Sequence, residues 1–369
     1  MTETPVAVAP SSALKLRRTG AWRGIRVLAW DGDVLYGCRG YRIVRMNLRL
    51  QAAESAKWEL VACFRPAWWR NFTSRSALSY RLVRDGFHAL AVLEDRTMVG
   101  AVPGALVTRI QNSGEFRVTH RIQRGIRPLH VTAVPSGTIY WGEYFDNRQR
   151  AEVHIYASTD RGSTWQVAYT FPEGSIRHVH NIVYDRWSDC LWILTGDEGS
   201  ECKVLRASCD LGSGGRSVEV VLAGNQQARA VAAIPTQSGL YLSTDTPFEK
   251  NHVYRLDRAG KVEKVGDLAS SSIFGCRVGS WGSEAMFFST MIEPSDVNTG
   301  REVKISGSRD GTNWQVLASW TKDNFPTRYF QYGNAFLPDG DNSTNYLAVT
   351  TIAVEHEDLV TTLWEVESA

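Results

Sequence analysis

The chain has 369 residues, 43% hydrophobic and 22% charged, with a formal net charge of +2. So near-neutral a balance creates no global field for nucleic acid or an anionic membrane, and neither is expected as a partner. The length fits two ordinary domains or one large all-β domain, so internal repeats must decide.

The N-terminal run Met1-Thr-Glu-Thr-Pro-Val-Ala-Val-Ala-Pro10 has no basic start followed by a long apolar stretch. Neither a signal peptide nor a membrane anchor is expected, and residues 1–12 read as a disordered tail. No stretch of about 18 apolar residues occurs later. Six cysteines (Cys38, Cys63, Cys190, Cys202, Cys209, Cys276) are scattered without a Cys-x-x-Cys pair. They fit buried free thiols in a reducing compartment, and the expected location is the cytoplasm.

Apolar segments then recur 42 to 62 residues apart, mostly near the period of roughly 40 to 50 residues of propeller blades. Seven of them read as inner strands: Arg26-Val-Leu-Ala-Trp30, His88-Ala-Leu-Ala-Val92, His130-Val-Thr-Ala-Val134, His180-Asn-Ile-Val-Tyr184, Ala230-Val-Ala-Ala-Ile234, Cys276-Arg-Val-Gly-Ser280 and Gly333-Asn-Ala-Phe-Leu337. Each is nearly all apolar, as a strand packed on both faces by neighbouring blades must be. Second strands such as Leu191-Trp-Ile-Leu-Thr195 are aromatic and β-branched, and third strands such as Glu152-Val-His-Ile-Tyr156 follow them. The last blade shows three strands, at about 333–338, 345–353 and 359–367, and Ala13-Leu-Lys-Leu-Arg-Arg-Thr19 is expected to supply its fourth. Such closure removes an exposed edge. The expected fold is therefore all-β: a seven-bladed β-propeller of four-stranded antiparallel blades, with residues 1–369 forming a single domain. One connection is too long for a hairpin, and within it Ser74-Arg-Ser-Ala-Leu-Ser-Tyr-Arg-Leu-Val83 reads as a short amphipathic helix. The arginines of this connection, Arg70, Arg75, Arg81 and Arg84, read as a solvated face, with the binding of an acidic ligand as the alternative.

Propeller topology sorts the loops between two faces. Blade entries and second-to-third strand loops share the face called here the top, and third-to-fourth turns share the bottom. His88, His130 and His180 occupy equivalent positions at the tops of three inner strands, with His178 nearby and Gln226 and Gln227 on the following blade. Imidazoles converging with an amide oxygen suit a divalent ion such as Mn, Zn or Ca, so His88, His130, His178, His180 and Gln227 are candidate metal ligands. The alternative is that these histidines hydrogen-bond backbone at blade junctions. Glu143, Asp197, Asp245 and Glu293 come from top-face loops of adjacent blades, and with Arg229 they form the candidate catalytic set. Each carboxylate has the alternative role of capping its own loop. Arg177, Asn181, Gln226 and Glu198 are the candidate substrate-binding residues, Arg177 because a guanidinium matches a planar carboxylate.

The bottom turns carry a motif. Ser158-Thr-Asp160-Arg-Gly162-Ser-Thr-Trp165 closes a third strand, and Ser208-Cys-Asp210-Leu-Gly212 and Ser308-Arg-Asp310-Gly-Thr-Asn-Trp314 repeat its frame less completely. The first resembles an Asp-box, and the chain is thereby similar to the sialidase-like superfamily of Asp-box propellers, also known for BNR repeats. That resemblance implies the fold over nearly the whole length and a structural role for the boxes. A sialidase would carry Arg-Ile-Pro near its N-terminus, and the nearest match is the reordered Ile126-Arg127-Pro128. In site type the His and Gln set is similar to that of metal-dependent propeller lyases acting on oligogalacturonides, which implies a metal neutralising a uronate carboxylate with Arg229 near the abstracted proton.

The expected function is a carbohydrate-active enzyme acting on an acidic sugar or oligosaccharide at the top-face central pocket, by metal-assisted lyase or hydrolase chemistry. The alternative is a non-catalytic propeller that binds a glycan or protein partner.

Overall fold

The computed structural model describes residues 13–49, 56–74, 76–212, 218–279 and 284–368. The expected N-terminal tail, Arg75 and Ser280 lie outside them. Seven antiparallel sheets follow one another around a ring, as the repeat spacing predicts. Blade four shows the logic: Val179–Asp185, Cys190–Thr195, Lys203–Ser208 and Glu219–Ala223 pair in sequence order from the centre outward. All six residues of the second strand are buried, because neighbouring blades cover both of its faces, whereas the outer strand is largely solvated.

Leu14–Arg23 pairs antiparallel with the last strand, Val360–Ser368, and so completes blade seven. The ring is closed by hydrogen bonds between the two ends of the chain. One strand was not legible in the repeats: Asp339–Asn342 runs parallel to Ala29–Gly32, adding a fifth strand to blade one beside the central channel. Two inner strands differ from expectation. In blade three only Thr132–Ala133 pairs, since Pro128 and Pro135 bracket the segment and cannot donate to a ladder. In blade six the strand starts earlier, at Ser272–Val278. All six cysteines are free thiols.

Two helices occupy the long connection, α1 at Trp68–Thr73 and α2 at Ala77–Val83. Ser76 starts α2 by accepting a hydrogen bond from the Ser79 amide. The arginines here do not form a solvated face. Arg81 is 2% exposed, pairs with Asp323 and Asp358, and lies over the Phe325 and Phe330 rings. Arg70 pairs with the buried Asp85, and among the described arginines of the set only Arg84 is exposed. The reason is tertiary: α2 lies across the top of the ring, with Tyr80 packed on Phe336, Ile352 and Leu359 of blade seven and bonded to Arg26 of blade one. Among the described residues no helix is long and apolar enough to cross a membrane.

Candidate functional site

The bottom turns satisfy themselves. Ser158 Oγ donates to Asp160 and accepts from the Gly162 amide, while Asp160 accepts from the amides of Ser163 and Thr164. Gly162 has φ +85°, and a Cβ there would stand 2.5 Å from Val99 of the neighbouring blade, so glycine is required twice over. Burial acts to raise the Asp160 carboxyl, but the bonds from Thr164, Ser158 and Ser163 outweigh it and hold it low. Asp310 repeats the arrangement with the amides of Thr312 and Asn313. These aspartates hold turns.

The polar cluster lies at the opposite ends of blades three to six. The inner strand of blade four carries a bulge between Val179 and Asn181, leaving His180 outside the ladder. That extra residue swings its ring towards blade five, where Nδ1 meets the Ala230 carbonyl at 2.9 Å. His178 turns the other way, its Nδ1 3.0 Å from the Phe145 carbonyl of blade three. Carbonyl oxygens only accept, so both Nδ1 atoms carry a hydrogen, and both rings turn their Nε2 atoms inward. Those two Nε2 atoms are 3.1 Å apart.

Asp197 faces the pair from the second-to-third strand loop. Gly196 before it has φ +114°, and a Cβ there would collide with the Cys202 backbone. Asp197 Oδ1 is 3.2 Å from His180 Nε2 and its Oδ2 is 3.5 Å from His178 Nε2. Arg177 pairs with Asp197 at 3.0 Å and with Asp146 at 2.6 Å, and Arg229 stands 3.4 Å from Asp197 and 3.6 Å from Asp245. Burial acts to raise the Asp197 carboxyl, but the contacts with His178 and His180 hold it far below the usual range. Burial raises Asp245, against Arg229, and raises Glu293, with the Asp245 charge adding to the effect. Burial lowers His178, against its contact with Asp197.

The other candidates separate. His88 stands under Arg26, Arg84 and Arg127, where burial and then those charges hold it well below its ordinary value. His130 Nδ1 lies 2.9 Å from Asp339 beside the central channel. Neither joins His180. Gln227 is exposed, and Gln226 is the residue that donates to the Asp197 carbonyl, at 3.0 Å. Glu143 is 1% exposed, ion-paired with Arg124 and accepting from the His154 amide, so it fixes its own loop. Asn181 donates to the Val231 carbonyl and ties blade four to blade five. Glu198 is exposed at 3.6 Å from Arg150. The residue missed in the sequence is Tyr144, whose ring centroid lies 4.2 Å from that of His178. Burial, then the charge of Asp197, pushes its hydroxyl up to about 12. Its place directly after Glu143 in a top-face loop was the available signal.

The set brings together two imidazole Nε2 atoms, an ionised carboxylate, two guanidiniums and two carboxyls shifted upward. Such a constellation has the donor types to bind a cation or share a proton, and its raised carboxyls are the groups suited to proton exchange.

No protein-family model matches the chain, and no curated protein matches it in sequence. Solved structures resemble it in fold. A chain of the Mitotic Checkpoint Complex shares 12% identity over 99% of this chain and 96% of its own, with a TM-score of 0.58. The β-propeller domain of Myceliophteria thermophila Cps50 (Swd1) shares 12% over 96% and 99%, with a TM-score of 0.55. The WD40 β-propeller domain of Doa1 shares 10% over 96% of each chain, with a TM-score of 0.55. At this identity the likeness shows the propeller fold alone, and it lends no support to the sialidase-like superfamily that the turns resemble.

Proposed function

We propose that this chain is a non-catalytic propeller that binds a protein partner on its top face, through the helical insertion. One observation carries the reading: within α1 and α2, Trp68, Trp69, Phe72, Leu78 and Leu82 are 76%, 44%, 66%, 48% and 50% exposed. Large aromatics grouped with arginine are the usual anchors of a protein interface, and so dense an apolar patch is uncommon on an unpartnered surface. The ion pairs beneath it support the same reading. Arg81 with Asp323 and Arg70 with Asp85 fix the insertion to the ring, so it meets a partner as a preorganised surface. Use of this fold within an assembly has a parallel in the Mitotic Checkpoint Complex chain.

The carbohydrate-active reading draws on Asp245 and Glu293, two neighbouring carboxyls raised by burial. The test separates the two readings. Trp68→Ser, Trp69→Ser and Phe72→Ser together are expected to abolish co-purification of the cognate partner with no change in fold by circular dichroism. Purified wild-type protein is expected to leave uronate- and sialate-containing oligosaccharides intact. Steady turnover of such a glycan, lost in Glu293→Gln, would overturn the proposal in favour of an enzyme.

A further inference from the structure

The cluster around His178 and His180 has a feature that partner binding through α1 and α2 does not use. Both imidazoles spend their Nδ1 hydrogens on backbone carbonyls of the flanking blades and turn their Nε2 atoms toward one carboxylate. An imidazole that ligates a metal almost always donates its other nitrogen in this way, which fixes the ring and its tautomer. The separations suit a common centre. Two ligands about 2.0 to 2.2 Å from one ion, at roughly tetrahedral or octahedral angles, lie about 3.0 to 3.5 Å apart. Here the Nε2 atoms are separated by 3.1 Å, and they stand 3.2 and 3.5 Å from the two oxygens of Asp197. Among the described residues this is the one group of three or more His, Cys, Asp or Glu side chains whose ligand atoms all lie within 4.8 Å of one another.

Charge points the same way. Asp197, Asp245 and Glu293 feel one another's charges, and the guanidiniums facing them are Arg229 and an Arg177 that also pairs with Asp146. Asp245, 5% exposed, has an Oδ1 atom with no hydrogen-bond partner. A buried carboxyl so incompletely paired is relieved by a proton or by a nearby cation. Asp197 keeps 13% of its side chain exposed, which leaves the ligand oxygens in reach of solvent.

We propose that His178 Nε2, His180 Nε2 and the Asp197 carboxylate hold one first-row divalent cation at the top of blade four. Two imidazole nitrogens favour Zn2+ or a neighbouring transition ion over Ca2+, which prefers an all-oxygen shell. The set replaces His88, His130 and Gln227 of the sequence expectation with Asp197. Three protein ligands leave a coordination position for water or an anionic group of a bound molecule. The hydrogen bonds to Phe145 and Ala230 join the ion mechanically to blades three and five.

The test uses the full chain, stripped with a chelator and titrated with Zn2+ or Co2+. Elemental analysis is expected to find one Zn2+ per chain, and Co2+ loading to give visible ligand-field bands of a nitrogen-ligated ion. His178→Ala, His180→Ala and Asp197→Asn are each expected to weaken Zn2+ binding by about 100-fold or more, beyond the 10- to 100-fold typical of an outer-shell change. His252→Ala, at an exposed pair with Asp267 on blade five, is expected to leave it unchanged. NMR of the wild-type imidazoles keeps the idea testable if a variant misfolds: Zn2+ is expected to shift the signals of His178 and His180 together. No stoichiometric metal, with a single proton shared between the two Nε2 atoms, would overturn the proposal. Loss of partner binding in the tryptophan variants, or its persistence, leaves this result untouched.

Discussion

Asp160 at the foot of blade three and Asp197 at the head of blade four are both low-titrating aspartates in tight loops, yet they are held by opposite means. Asp160 draws its hydrogen bonds from Ser158, Ser163 and Thr164, all within its own turn. Asp197 faces His178 and His180 from the inner strand of its blade, Arg177 from the blade entry and Arg229 from the next blade. A locally satisfied carboxylate is a fastener, and removing it loosens one hairpin. A carboxylate satisfied by distant charges is a hub, and removing it leaves those charges buried together.

The contrast has consequences that mutation can break. Asp197→Ala leaves Arg177 to Asp146 and Arg229 to Asp245, and is expected to cost about 3 kcal/mol in chemical denaturation, the lower end of the range for removing one partner of a buried pair. A loss below about 1 kcal/mol would erase the distinction between hub and fastener. Gly162→Ala places a Cβ against Val99 at positive φ and is expected to cost about 2 to 3 kcal/mol. Asp160→Ala removes several short-range bonds at a solvated turn, and about 1 to 2 kcal/mol is expected from the same assay. The smallest effect belongs to the insertion: Trp68→Ser, at 76% exposure, is expected to change stability by less than about 0.5 kcal/mol while abolishing partner binding.

Acid sharpens the comparison. Asp160 and Asp310 have folded values depressed below the ordinary 3.8. Their stabilising contribution is therefore complete above that value and is lost as pH falls through the depressed one. Hydrogen exchange of the Thr164 and Asn313 amides is expected to stay protected at pH 5 and to open only in stronger acid. Opening near neutrality would mean that the carboxylates are not what holds these turns.

Much of the fold was legible because blade strands announce themselves locally. The burial of Cys190–Thr195 and the closure of blade seven by Leu14–Arg23 follow from apolar runs and their spacing. The strand at Asp339–Asn342 was hidden because Asp-Gly-Asp-Asn is a turn-like sequence that pairs only where the inner strand of blade one offers an edge. Arg81 was misread for a related reason. Nothing in the local sequence shows that Asp323, Asp358 and two phenylalanines cover its guanidinium.

At the top face, the sequence by itself determined which residue types arrive, because strand period and loop position place His178, His180, Asp197 and Arg229 on one rim. Tertiary structure alone decided which of them meet. His180 turns to the Ala230 carbonyl of blade five, His130 turns to Asp339, and Tyr144 settles against His178. The physical reason is range. Periodicity and turn chemistry act over a few residues, whereas convergence of charges from several blades depends on register and on desolvation, and both are fixed only once the ring has closed.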